Sequence, residues 1–163
     1  MATERKKIIF TIPLLFSPMV AGAIVEWLSV HYFYLKEGIP VALYLISLAF
    51  LAFWAWAGSR FATLNLGKLY NFLLGNSAII QSFLFLFFFG GKPGANIINK
   101  WLTLISSLYT IPVVYLLQGG LFLMFGNLPA WYGKISGFLA ALLQIAAFSL
   151  GFFCKGKKLS TNN

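Results

Sequence analysis

The sequence predicts an all-α integral membrane protein: a bundle of about five transmembrane helices, with six as the alternative and no extramembrane domain. Three observations carry that expectation. Hydrophobic residues make up 60% of the 163 and charged residues only 9%, far below the roughly 25% of an ordinary water-soluble domain. So few charges cannot build a polar shell around a core of that size, and lipid must solvate much of the surface. Five uncharged apolar stretches, at 8–25, 38–59, 69–91, 101–133 and 135–154, are long enough for the ~20 residues that cross a ~30 Å hydrocarbon core. The twelve Lys and Arg stand singly or in short clusters near the ends of these stretches, where cations mark the interface and meet anionic lipid.

Taken in order, residues 1–7 form a basic amino-terminal tail, 8–154 a single transmembrane domain and 155–163 a basic, polar carboxy-terminal tail. The first span, at 8–30, follows Arg5, Lys6 and Lys7 and contains Ala21, Gly22 and Ala23, which imitate a signal-peptide cleavage pattern. Hydrophobicity resumes at once with Ile24 and Val25, so the stretch is read as a span whose Pro13 and Pro18 a bundle can tolerate. Trp27, Tyr32 and Tyr34 mark its interfacial end, as Trp54 and Trp56 mark that of the second span, at 39–59. The third, at 69–90, places Asn71, Gly75, Ala78 and Ser82 on one seam before an almost wholly aromatic end.

The fourth stretch is too long for one crossing, since its 33 residues would extend about 50 Å as a helix. The expected span is 101–125, opened by Trp101, with Thr103, Ser107, Thr110, Val114 and Gln118 along one side. Asn127, Pro129, Trp131 and Tyr132 belong to an interfacial connection. Gly119 and Gly120 offer a break, and a turn there gives the six-span alternative. The fifth span, at 135–154, repeats Gly137, Ala140, Gln144, Ala147 and Gly151 at alternating three and four residues. That spacing draws one packing seam, which Gly133 extends, and leaves Phe138, Leu142, Ile145, Phe148 and Phe152 toward lipid.

With five spans the cations divide six against six, so their distribution chooses no orientation. Such a balance is the prerequisite for insertion in both orientations and pairing with an inverted copy. The short connections at 36–40, 59–68, 90–94 and 126–133 hold no folded domain, so the protein acts in or at a membrane, expected to be the plasma membrane.

The candidate ligand- or proton-binding residues are few. Glu26 is the one acid in or beside a span, and an intramembrane ionisable group is a functional hypothesis by default. Pro18, Gly22, Glu26 and Ser29 share its side of the helix. His31 lies about 140° away around an ideal helix, so the two meet only if the helix is irregular. Gln81 and Gln144 fall mid-span, where an unpaired carboxamide is costly, and are expected to face the interior, with contact between the two as one arrangement open to them; Gln118 is a further candidate amide. Cys154, the sole cysteine, forms no internal disulfide. No nucleophile with a base, paired carboxylates, zinc-protease motif or phosphate-binding loop occurs, so no catalytic residue, metal or cofactor is expected.

Ala23 to Glu26, with Glu37 and Gly38 eleven residues on, resembles the first helix of the small multidrug resistance exporters. That resemblance implies a first-helix glutamate carrying protons or drug cations, and subunits that insert both ways. The family has four shorter helices, and its second-helix pattern has no match in 44–70. The leading expectation is a non-enzymatic binding or transport-associated subunit. Its partners would be membrane lipid, a further membrane protein or copy of itself, or a small solute, without nucleic acid, since no continuous basic stripe exists. A small proton- or cation-coupled exporter using Glu26 is the alternative, and a membrane enzyme the second.

Overall fold

A computed structural model gives the architecture, described here for residues 2–33, 41–89, 96–125 and 132–160. Every long element is helical: α1 Ala2–Thr11, α2 Ser17–Leu28, α3 Val41–Phe61, α4 Lys68–Phe89, α5 Ile97–Phe125 and α6 Tyr132–Ser160. No strand occurs among the described residues. Among the described residues four segments are long and apolar enough to cross a membrane, at Lys7–His31, Val41–Phe61, Lys100–Leu121 and Ile135–Gly156. The expected connections at 36–40, 90–94 and 126–131, with Tyr34, Asn127, Pro129 and Trp131, lie outside the described residues, as does the packing of Gly133.

The amino-terminal rod is continuous but irregular, and its prolines explain why. Between α1 and α2 runs a 3-10 stretch, Ile12–Phe16, with Pro13 at its start. Pro18 has no N–H for the Leu14 carbonyl. That oxygen instead accepts the Ser17 N–H and, at 2.7 Å, the Ser17 hydroxyl. Beyond α2 the helix widens to a π turn over Ser29–Phe33. Ala21, Gly22 and Ala23 lie inside α2.

The rest of the bundle is organised around α6. It packs most extensively on α3, and α5 runs through the middle, touching α2, α3, α4 and α6. A side chain at Gly58 would collide with the Phe148 carbonyl, and one at Gly151 with the Ala55 carbonyl. Each helix therefore leaves a gap for the other's backbone, the close approach that small residues permit. Phe148 is fully buried among Trp54, Phe61, Phe72 and Phe152, and its ring occupies the space beside Gly75 that a side chain would fill. Helices α4 and α6 are antiparallel: Phe72 meets Phe152 and Phe153, Gly75 meets Phe148, and Phe83 meets Phe138.

The seam residues differ in burial, and Gly137, Ala147 and Gly151 are half-buried. Ala140, Gln144, Asn71, Gly75 and Ser82 are buried. Phe148 and Phe152 are buried too, not turned to lipid, because α6 is covered by α3 on one side and α4 on another. Only Phe138 and Leu142 of that set are exposed. Helix α5 continues through Gly119 and Gly120 to Phe125, so no turn occurs there; a side chain at Gly119 would overlap the Tyr44 ring. The link from α3 to α4 is the short 62–67 stretch. Gly67 takes φ 95° there, a left-handed conformation open to glycine, and the Asn71 amide donates back to the Leu64 carbonyl.

Candidate functional site

The site begins with a proline on α5. Pro112 has no N–H for the Leu108 carbonyl one turn earlier, and that carbonyl faces α2. Gly22 admits it, since any side chain there would strike the Leu108 oxygen. One turn further along α2, Glu26 meets Tyr115, whose hydroxyl donates to the carboxylate over a long 3.5 Å. The Ser29 side chain stands beside the same hydroxyl, while its own hydroxyl donates to the Glu26 carbonyl at 2.9 Å. Residue numbers rise together from Gly22–Leu108 to Glu26–Tyr115, so over this stretch α2 and α5 run in the same sense.

Glu26 itself is exposed, as an acid at the rim of a bundle would be, and is not enclosed in a cavity. The irregularity that could turn His31 toward it exists, in the π turn, but the imidazole lies elsewhere. It stacks on Trp27 with ring centroids 4.8 Å apart, and its Nδ1 donates to the Trp27 carbonyl at 2.9 Å, which places the proton on Nδ1.

The three amides do not form a group. Gln144 is fully buried and donates to the Tyr109 carbonyl on α5 at 2.8 Å, leaving its Oε1 without a partner. Gln118 is half-buried on α5, one turn past Tyr115. Gln81 is exposed, which corrects the expectation that it faces inward. The side of α4 that turns inward carries Gly75, Asn76, Ile79 and Ser82 instead. Among the described residues no three His, Cys, Asp or Glu side chains come together.

Most other polar groups in the apolar helices serve their own helix. The hydroxyls of Ser47, Ser77, Ser107, Thr110 and Ser149 donate to carbonyls three or four residues back. Sequence reading missed Tyr115, Tyr109 and the role of Pro112. Tyr115 is one aromatic within a long apolar run, and a carbonyl partner leaves no mark on the side chain that carries it. The fold defines an all-helical bundle with four segments suited to crossing a membrane. Comparison with protein-family models, with curated proteins and with solved structures finds no match.

Proposed function

We propose that the protein is a non-enzymatic, multi-pass membrane protein that works by binding within the bilayer, as a subunit engaging lipid or a membrane partner. Large apolar side chains turned outward support the lipid setting, among them Phe10, Val41, Leu69, Phe87 and Leu150. Such a surface has no counterpart on a water-soluble monomer. The observation that carries the functional reading is the use made of polar groups. Hydroxyls and amides along the apolar helices are committed to backbone carbonyls, so they brace helices and do not line a polar path.

The rival is a proton- or cation-coupled exporter, favoured by the Glu26–Tyr115 contact. The two readings separate in sealed vesicles carrying the purified protein under an imposed pH gradient. Wild type and Glu26→Gln are expected to show the same cation and proton flux as empty vesicles. Flux in wild type that Glu26→Gln abolishes would establish the exporter instead.

A further inference from the structure

The amino-terminal rod and α3 leave an apolar groove of about 510 Å³ between them, open to the outside of the bundle. Phe16, Val20 and Ile24 form one wall and Phe50 and Phe53 the other. The lining from Pro13 to Ile24 runs about 16 Å along the helix axis. Ser17 is the polar residue in the lining, and its hydroxyl is already donated to Leu14. The groove exists because the 3-10 stretch interrupts the rod and α2 barely touches α3.

At one end the groove is cationic. Along α3 the Phe53 ring abuts Trp56, with centroids 5.6 Å apart, and the Arg60 guanidinium lies over the Trp56 ring at 5.6 Å. Along the rod, Lys7 stands exposed less than two turns before Pro13. Beside it in the sequence, Arg5 and Lys6 outweigh Glu4 by one positive charge. Lys7 opens the first membrane segment and Arg60 closes the second, so both belong to the same face of the bilayer. An apolar slot running along the helices from a Trp–Arg–Lys rim matches a phospholipid: the acyl chain in the slot, the phosphate at the cations.

We infer that this groove is a binding site for one acyl chain of an anionic phospholipid, with Arg60 and Lys7 holding its headgroup. The inference rests on the membrane reading above and names the lipid class. It is tested by reconstituting the purified protein in phosphatidylcholine vesicles with a trace of spin-labelled phosphatidylglycerol or phosphatidylcholine, and measuring the motionally restricted fraction by electron paramagnetic resonance. The restricted fraction is expected to favour phosphatidylglycerol about fivefold per effective cation. Arg60→Gln should lower that preference by about the same factor with the total restricted lipid little changed. Ala49→Phe, filling the slot from an exposed position, should reduce the tightly held component for both lipids. Failure of the protein to float with the vesicles would overturn the membrane reading and the groove together. Floating protein with equal affinity for the two lipids, or a preference untouched by both substitutions, would overturn the groove alone.

Discussion

The contact of α3 with α6 and the contact of α2 with α5 use the same device and gain different rigidity from it. In each, a glycine admits the neighbour's carbonyl: Gly58 takes that of Phe148, and Gly22 that of Leu108. Around Phe148 the gap is then closed on several sides by Trp54, Phe61, Phe72 and Phe152. Around Gly22 it is not, because α2 has α5 on one side and, on the other, little but the groove toward α3. A close approach in lipid fixes a helix only when further neighbours hold it there; one backed by a groove leaves the helix room to pivot.

The largest expected effect comes from emptying the closed contact. Phe148→Ala should lower stability by about 3 kcal/mol, the low end for a buried Phe because lipid removes part of the transfer term. Unfolding by denaturing detergent, followed by circular dichroism, measures it. Adding a methyl separates the two regions more finely. Gly58→Ala should cost about 2 kcal/mol globally, since the Phe148 backbone has nowhere to move. Gly22→Ala should cost about 1 kcal/mol and act locally, widening the Tyr115–Glu26 contact as α2 pivots. Hydrogen exchange read by mass spectrometry should rise across α2 in Gly22→Ala and across the whole bundle in Gly58→Ala; equal global losses would erase the distinction. The smallest effect belongs to Gln144→Leu, within about 1 kcal/mol, because the lost bond to Tyr109 is offset by removing a buried oxygen that has no partner.

The helix positions were legible in the sequence because long uncharged apolar stretches between cations mark helices of that length directly. Expected spans at 8–30, 39–59, 69–90, 101–125 and 135–154 fall on the five helical rods. Small-residue spacing likewise marked Ala140, Gly75 and Gly151 as places of close approach. The site was legible only in Glu26, which stands out as an acid in an apolar stretch. Its partner Tyr115 lies 89 positions away, joined to it by helix packing alone.

Which apolar side of each helix is buried was decided by the tertiary structure. In water, hydropathy separates core from surface, because solvent rejects apolar groups. In lipid both sides of a helix are apolar and the same residue suits either. Phe138 and Phe148 read alike in the sequence, yet Phe138 is exposed and Phe148 enclosed. The sequence by itself determined the membrane-type composition, the helices and the small residues that permit contact. Only the arrangement of neighbouring helices determined that Phe148 fills the core, that Gln81 faces outward, and that a groove remains between the amino-terminal rod and α3.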